Sequence, residues 1–447
     1  MRVVICFALF LLAMIICMVT GLEMVFALAL GIVLFGIIAL RRGHTVCEIW
    51  RMMWSEGRKL VGVLGVFLCI GAITALWRSC GTIAYFIYYG VQIITPPIFV
   101  LVAFLLTCLL SYALGTSFGV VGTAGIILMA LARSGGVNEL LTAGAVMSGA
   151  YFGDRCSPAS SSALLVAAVT ETKLYDNLRN MRLSGWLPLG ATTAVYAVLS
   201  VYNPIQTVDE TLLAALQEHF AISIWTLLPA VMMLALPLMK VPIRTTLLVS
   251  SVAAFSISVL VQGMGVWETL RTAILGYEIK TGMLSEILSG GGAISMLKSS
   301  VMVMCTGLFA GLLTGVGAMD GMKGKVELIA QKWGLFGATT VVSIAAGAIF
   351  CNQSILCMMG YPLLRESYAR RGASKEEMAL DMENSGVVLA ALIPWNIACS
   401  IPHQMLGVGA GTVLYTVLLY MIPLCYAVTK KRMMKKLVLG ERVKIHD

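Results

Sequence analysis

The feature that most constrains this chain is a series of long apolar runs without charge. A helix that crosses the hydrocarbon core of a bilayer needs about 20 such residues. Continuous candidates are 3–20, 22–40, 59–77, 94–114, 118–134, 138–153, 185–201, 221–239, 243–262, 299–317, 336–351 and 405–427. Shorter apolar segments, interrupted by Gly, Pro, Ser or Asn, lie at 80–93, 158–170, 281–297, 353–364 and 383–400.

Composition supports the same conclusion. Hydrophobic residues make up 59% of the 447 residues and charged residues only 12%, against about 25% charged residues in a soluble domain. Too little polar surface remains to cover a water-soluble globule of this length. We therefore predict an all-α polytopic membrane protein with about 11 to 13 transmembrane helices, including broken or re-entrant ones.

The first apolar run follows Arg2 and resembles a signal peptide, but it is longer than usual and a second run follows at once. We predict that both spans are retained and joined by a tight turn at Gly21–Glu23.

Basic residues cluster in a few loops: Arg41, Arg42, His44, Arg51, Arg58 and Lys59; Lys173, Arg179 and Arg182; Arg365, Arg370, Arg371 and Lys375; Lys430, Lys431, Arg432, Lys435 and Lys436. Because positive loops stay in the cytoplasm, we expect both termini inside and a bacterial inner-membrane location.

The two halves of the chain share a pattern of interrupted apolar segments. The interval from Thr116 to Pro158 equals the interval from Asn352 to Pro394, which suggests a repeat offset of about 236 residues. The stretch 264–298 is neutral, unlike its counterpart 41–59, so we predict that the repeats are inverted. The predicted division is an N-terminal hairpin and basic loop (1–54), repeat 1 (55–200), connecting helices (201–290), repeat 2 (291–430) and a basic cytoplasmic tail (431–447).

Two interrupted segments in the first half carry candidate ligands. The segment 115–123 contains Thr116 and Ser117 among three glycines, which indicates either close helix packing or an ion site. The segment 153–162 places Asp154 beside Pro158, with Ser157 and Ser160 close by. An unpaired ionisable residue in hydrocarbon is costly and is usually functional. A short water-exposed loop is the alternative for this second segment.

The corresponding segments of the second half are 351–354 and 382–396. They contribute Asn352 and Gln353 as neutral oxygen ligands, Glu383 as a second carboxylate, and Asn396 at a helix break. Hydrogen-bonding between helices is the alternative role for the two amides.

At these residues the chain resembles the NhaC family of bacterial sodium–proton antiporters. The matching pieces are WRSCGTIAYFIYYG (77–90), GTSFGVVGTAGI (115–126), SGAYFGDRCSP (148–158), LSGGGAISMLKS (288–299) and SGVVLAALIPWN (385–396). This resemblance implies an inverted-repeat fold, an inner-membrane location and exchange of Na⁺ for H⁺; one branch of the family exchanges malate and lactate with coupled cations. The chain departs from the family pattern where Ser161, Asn352 and Asn384 replace expected carboxylates.

Two functions remain open at this point. In the first, the protein is a Na⁺/H⁺ antiporter in which Na⁺ and H⁺ compete for the carboxylate of Asp154. Neutral oxygens complete the coordination of Na⁺, and Glu383 is a second proton-linked group. In the second, the protein carries a small organic solute coupled to Na⁺ or H⁺, such as a carboxylate or an amino acid. No nucleophile–base pair emerges, so we do not expect an enzyme. We expect no cofactor beyond the transported ions. The expected partners are the lipid bilayer and small ions or a small organic solute, with a homodimer left open and no nucleic acid.

Overall fold

A computed structural model describes residues 2–20, 22–93, 96–158, 160–204, 210–239, 241–279, 283–318 and 323–444. Its described part is helical, with one isolated antiparallel bridge between Tyr277 and Gly290. Gly21, in the predicted turn between the first two spans, lies outside the described residues.

The first half of the chain begins with a helical hairpin and a long helix. Its helices are α1 (Arg2–Thr20), α2 (Met24–Arg41), α3 (Val46–Ser79), α4 (Thr82–Ile93), α5 (Phe99–Leu114), α6 (Ser117–Val120), α7 (Ile126–Ser134), α8 (Glu139–Cys156), α9 (Ser161–Thr170) and α10 (Leu174–Tyr202). A π-helical turn, Val121–Gly125, joins α6 to α7 in one span, Ser117–Ser134. π-Turns of this kind are frequent at functional sites.

Connecting helices and the second half follow. They are α11 (Glu210–His219), α12 (Leu228–Leu238), α13 (Ile243–Leu260), α14 (Val266–Leu275), α15 (Met283–Leu288), α16 (Leu297–Gly315), α17 (Lys323–Phe350, kinked at Gly334), α18 (Gln353–Arg370), α19 (Lys375–Glu383), α20 (Gly386–Leu389), α21 (Ile397–Leu406) and α22 (Val417–Lys444).

Within the described residues, six helices are long and apolar enough to cross a membrane, or eight if each of two bent helix pairs counts as one span. Three shorter apolar helices add to them: Ile5–Thr20, Phe99–Leu114 and Arg244–Leu260. Large apolar side chains on α13 face outwards, with Val252 66% and Leu260 82% exposed, as expected of a lipid-facing surface. The predicted all-α membrane fold with broken helices is confirmed, and the full number of spans stays a prediction.

Helix boundaries recur at one offset along the chain. The span Ser117–Ser134 reappears as Gln353–Arg370, and α9 (161–170) reappears as α21 (397–406), an offset of 236 residues in both cases (117 to 353, 161 to 397). The same offset relates the end of α3 at Ser79 to the end of α16 at Gly315.

Packing of α3 against α16 gives the relative orientation of these two equivalent helices. Gly311 of α16 approaches Met53 near the start of α3, whereas Met296, just before α16, approaches Gly71 towards the end of α3. The two helices therefore run antiparallel, as two inverted copies of one unit would. Glycines at the crossing allow the backbones to approach closely.

Lys430, directly before the predicted basic tail, contacts the rest of the fold. Residues 431–444 continue α22 as helix. Lys430, grouped with the tail in the sequence prediction, forms ion pairs with Glu377 and with the fully buried Asp381. The sequence pattern did not indicate the ion pair between Lys430 and Asp381, because these two residues lie on different helices, 49 residues apart.

Candidate functional site

Two of the helix breaks have the same construction. Gly115 ends α5 with φ of 67°, and Thr116 then accepts a hydrogen bond from the backbone N–H of Gly119 at the start of α6. At the equivalent place, Cys351 has φ of 54°, and Asn352 accepts hydrogen bonds from the N–H groups of residues 354 and 355. At each break, a left-handed residue followed by a polar cap lets the chain end one helix and begin the next without unsatisfied backbone N–H groups.

The other two breaks also begin a helix with a polar cap. Ser160 precedes α9 and accepts from the N–H of Ala163; Asn396 precedes α21 and accepts from the N–H of Ala398. Pro158 and Pro394 lie two residues before these caps, where they stop the preceding helix. All four breaks are built by residues that the sequence indicated.

Hydrogen bonds join the two breaks within each half. In the first half, the Ser157 hydroxyl donates to the Tyr112 carbonyl at 2.6 Å. In the second, the Asn396 side chain donates to the Gly347 carbonyl at 2.9 Å, and the Ile397 N–H donates to the Cys351 carbonyl, also at 2.9 Å. Unpaired backbone groups are thereby satisfied inside the protein, as a broken helix at membrane depth requires.

Asp154 lies where the two halves meet. Its side chain is 5% exposed, in the last turn of α8, and its Oδ2 is 3.4 Å from Nε2 of Gln353, the first residue of α18. The Gln353 amide also donates to the Val387 carbonyl at 2.9 Å. The hydroxyls of Ser160 and Ser162 donate to the backbone carbonyl of Asp154. Asp154 is thus held from both halves of the chain by groups without formal charge.

Arg155 points away from its neighbour and into a different buried network. One of its Nη atoms donates to Asn384 Oδ1 at 2.6 Å and to the Ser184 hydroxyl at 2.8 Å. Glu383 is fully buried, and neither of its carboxylate oxygens has a hydrogen-bond partner. The charged groups that act on Glu383 are Arg155 and Asp154. The second predicted carboxylate is therefore fully buried, without a hydrogen bond to Asp154 or to Arg155.

The predicted ligands divide into those near Asp154 and those that hold the breaks. Gln353 and Ser160 contact Asp154 directly, whereas Thr116, Asn352 and Asn396 cap helices. Ser117 is buried at the start of α6, and Ser157 bonds to α5.

Sequence reasoning missed Ser162, which contacts Asp154, and Asn384, which contacts Arg155. The signal for Ser162 was present in its position as the second residue of α9, directly after the break.

A cavity of about 460 Å³ lies beside Asp154. Its lining includes the polar residues Thr116, Ser161, Asn352 and Gln353 and the charged residues Glu56, Lys59 and Arg244. Asp154 itself does not line the cavity, but Gln353 both lines the cavity and contacts Asp154. Within the described residues there is no group of three or more His, Cys, Asp or Glu that could hold a metal. An ion at Asp154 would therefore have neutral oxygens as its other ligands.

Comparison with known proteins identifies the family. The sequence profile of the Na⁺/H⁺ antiporter family matches residues 1–170 and 149–429. The chain is 30% identical to a Malate-2H(+)/Na(+)-lactate antiporter of Bacillus subtilis, over 76% of this chain and 74% of the relative. It is 26% identical to an uncharacterized Na(+)/H(+) antiporter of Haemophilus influenzae, over 84% and 83%.

A further relative has a different named substrate. The chain is 28% identical to an arginine/ornithine antiporter, ArcD, of Halobacterium salinarum, over 87% of this chain and 82% of the relative. Both halves of the chain, including all four helix breaks, fall within the residues that the family profile matches. This chain belongs to the Na⁺/H⁺ antiporter family.

Proposed function

We propose that the protein exchanges Na⁺ for H⁺ and that both ions compete for the carboxylate of Asp154. The observation that carries this proposal is the buried contact between Asp154 and Gln353, which joins the broken helices of the two halves. A hard cation prefers oxygen ligands, and a carboxylate can give up that cation for a proton. If Na⁺ and H⁺ compete for one carboxylate, binding of one ion releases the other, which links their movements across the membrane.

Neutral oxygens around Asp154 would complete the coordination of Na⁺. The Ser160 and Ser162 hydroxyls lie 2.9 Å apart and both donate to the backbone carbonyl of Asp154, and Ser160 also accepts the Ala163 N–H, so Ser162 is the hydroxyl proposed to offer a lone pair to a cation. Gln353 would add its amide oxygen only after its amide group rotates, because its Nε2 faces Asp154 in this structure. Thr116 and Asn352 use their side-chain oxygens to cap helices, so in this proposal their main role is to stabilise the helix breaks.

Glu383 is proposed as the second proton-linked group. Its two oxygens lack hydrogen-bond partners and share a buried region with Arg155, whose fixed positive charge attracts Glu383 when Glu383 is ionised. A proton that leaves Glu383 changes the field at Asp154 through the low-dielectric interior. This arrangement would link proton release to cation binding.

The orientation in the membrane is part of the proposal. We propose that both termini are cytoplasmic in a multi-pass arrangement in a bacterial inner membrane, which the basic residues in 41–58 and after Lys430 support. The charged lining residues Glu56 and Lys59 lie in the first half of α3, so we propose that the cavity opens towards the cytoplasm. The exposed Cys47 tests the orientation, because an impermeant thiol reagent added to intact cells should leave it unlabelled. Labelling of Cys47 from outside would show that the protein has the opposite orientation in the membrane.

A second candidate function is exchange of a small organic solute, and the cavity volume favours it. A volume of about 460 Å³ falls within the range of about 300–1,000 Å³ typical of small-molecule sites. Relatives of this chain are named for carboxylates and for cationic amino acids, so their names leave the charge of such a solute open.

Purified protein in proteoliposomes separates the two functions. With imposed Na⁺ and pH gradients and no organic solute, the proposal expects Na⁺-dependent proton movement. If movement of Na⁺ and H⁺ occurs only when a carboxylate or an amino acid is added, the first function is excluded and the second replaces it. A homodimer, which we also propose, would appear as twice the protomer mass in light scattering.

A further inference from the structure

The short helices α9 and α21 end in the same way. Glu171 follows α9 with φ of 56°, and Gly407 follows α21 with φ of 70°, so both are left-handed. The two residues are separated by 236 positions (171 to 407), the offset that relates the two halves. Glycine adopts this conformation readily, whereas glutamate does so at a cost. A costly conformation that is nevertheless adopted indicates that the position of this helix end matters.

The end of α21 is bonded to the first half of the chain. Arg133, in the last turn of α7, donates to the carbonyl oxygen of Leu406 at 2.8 Å and to that of Gly407 at 3.4 Å. The same guanidinium group forms an ion pair with Glu139 at 2.8 Å. A positive charge is favourable at a helix C-terminus, where the last carbonyl groups have no partner within the helix. We call these three contacts the Arg133 tie.

The end of α9 has an equivalent but weaker tie. Glu171 forms an ion pair with Lys375, the first residue of α19. Lys375 is the equivalent of Glu139, the first residue of α8, at the same offset of 236 (139 to 375). The side chains of Lys375 and Glu171 are 55% and 59% exposed, whereas that of Arg133 is 23% exposed. Water and salt weaken an exposed ion pair, so the Arg133 tie is the stronger of the two.

Inversion of the repeats separates the two ties. Equivalent residues of inverted copies lie at opposite faces of the membrane, and the antiparallel packing of α3 against α16 supports such an inversion. Lys375 belongs to the basic cluster with Arg365, Arg370 and Arg371, which is expected in the cytoplasm. In the proposed orientation, the Lys375 tie therefore faces the cytoplasm and the Arg133 tie faces away from it.

Helix α21 extends from the cavity to the Arg133 tie. Ile397 and Ala398, in its first turn, line the cavity. The carbonyl oxygen of Ala398 accepts a hydrogen bond from the hydroxyl of Tyr151, which lies on α8 three residues before Asp154. The start of α21 is thus in contact with the cavity and with the helix that carries Asp154, whereas its end is held by Arg133.

The remainder of α21 is buried. Eight of its ten residues are buried, and Cys399, a free thiol, has no exposed surface. A methyl group added at Gly125, in the π-helical turn, would lie 3.1 Å from a side-chain carbon of Leu406, so the end of α21 packs closely on this turn. Solvent can therefore reach Cys399 only if α21 or its neighbours move.

We propose that α21 is a gate between the cavity and the face away from the cytoplasm, and that Arg133 is the positioning residue that holds this gate closed. This inference rests on the proposed transport function, in which an ion near Asp154 must reach each face in turn. Loss of the contacts from Arg133 frees the end of α21, while the Asn396 cap still holds its start. The weaker Lys375 tie opens more readily, in agreement with a cavity that opens towards the cytoplasm.

Labelling of the native Cys399 tests this gate. Intact cells and inside-out vesicles are treated with a small impermeant methanethiosulfonate, and peptide mass spectrometry measures the labelled fraction over time. The exposed Cys47 marks the cytoplasmic face in both preparations. Arg133→Gln removes the tie, and Arg133→Lys retains a charge without the planar donors. Lys375→Gln breaks the equivalent tie, and Arg271→Gln removes an exposed arginine of α14 as a matched control.

We expect Cys399 of Arg133→Gln to react about tenfold faster than in the wild type from the face opposite Cys47, because loss of one charged hydrogen bond shifts an equilibrium by about this factor or more. Arg133→Lys should be intermediate, and Lys375→Gln and Arg271→Gln should match the wild type. From the face of Cys47, the rate should not rise in Arg133→Gln. If Arg133→Gln does not reach the membrane, the same comparison is made with Arg133→Lys.

Two results would overturn the inference. One is an equal rate from the face opposite Cys47 in the wild type and the Arg133 variants. The other is a rise from both faces, or an equal rise in Lys375→Gln, since either would indicate a general loosening of the fold and no gate at α21.

Solute-free exchange of Na⁺ and H⁺ in wild-type proteoliposomes separates this inference from the proposed function. If exchange occurs but the Arg133 variants do not expose Cys399, the inference fails and the proposed exchange stands. If they expose Cys399 from the face opposite Cys47 but exchange is absent, the gate stands and the proposed exchange fails.

Discussion

Arg155 and Asn384 lie 229 residues apart in sequence, and their side chains meet at 2.6 Å in the buried interior. The contact joins α8 to the end of α19, and so links the helix that carries Asp154 to the one that carries Glu383. Asn384 is one of the three positions where a carboxylate would fit the family pattern. Its neutral amide leaves the positive charge of Arg155 without a bonded anion, since Glu383 does not contact it directly.

Asn384→Asp should therefore be tolerated and should stabilise the protein. A carboxylate at this position would accept from Arg155 directly, and a bond between two charged groups is stronger than one to a neutral amide. Asn384→Leu is the opposite change and should destabilise the protein by about 3–5 kcal/mol, because it leaves a buried charge without its partner. Thermal unfolding in detergent measures both. If Asn384→Asp is less stable than the wild type, repulsion by the Glu383 carboxylate outweighs attraction to Arg155 at this position.

Glu383→Gln should slow transport or shift its pH optimum. Glutamine keeps the shape of a protonated carboxyl group but cannot release a proton, so the link between proton release and Arg155 would be lost. The half-buried Glu376 on the same helix is the matched control, and Glu376→Gln should leave the pH profile unchanged. Proton flux measured across a pH series checks both variants. A wild-type profile for Glu383→Gln would remove Glu383 from the mechanism.

The left-handed backbone of Cys351 predicts an asymmetry between equivalent positions. A non-glycine residue in this conformation costs roughly 1–2 kcal/mol, and Gly115 avoids that cost at the equivalent break. Gly115→Ala should lower the stability by about this amount. Cys351→Gly should change it by less than about 1 kcal/mol, since relief of strain is offset by the flexibility of glycine in the unfolded chain. Thermal unfolding of the pair tests this, and equal losses in both variants would contradict it.

Asn352→Asp separates the two candidate functions by the sign of its effect. Aspartate caps helices as well as asparagine does and is favoured at a helix N-terminus, so the variant should fold. If Na⁺ binds near Asp154, the added carboxylate should tighten the apparent Na⁺ affinity and make transport more sensitive to pH. If an organic anion fills the cavity, the same charge should repel it and reduce flux. Ser161→Asp, on the cavity wall, should change flux in the same direction.

Much of this fold could be predicted from the sequence because its main signals are local. Apolar runs, prolines and polar caps lie next to the helix breaks that they create, and the repeat offset of about 236 residues coincides with the offset between helix boundaries. The membrane fold class and the family were both confirmed.

Contacts over long distances in the chain were not predictable. Nothing in the sequence near Asp381 indicates that Tyr368, Tyr426 and Lys430 converge on its carboxylate. The left-handed backbone at Cys351 was equally hidden, because it occurs at a residue that rarely adopts it. The partners of Arg155 were hidden for the same reason, since it bonds to α10 and to Asn384.

The central claim is that Na⁺ and H⁺ compete for Asp154, and Asp154→Asn tests it most directly. Asparagine keeps the shape and the contact with Gln353, so the variant should be present in the membrane in normal amounts. It cannot bind a proton or present a full charge to a cation. Proteoliposomes with imposed Na⁺ and pH gradients should show Na⁺-dependent proton flux for the wild type and for the exposed control Asp176→Asn, and none for Asp154→Asn. Flux at the wild-type rate in Asp154→Asn would contradict the account.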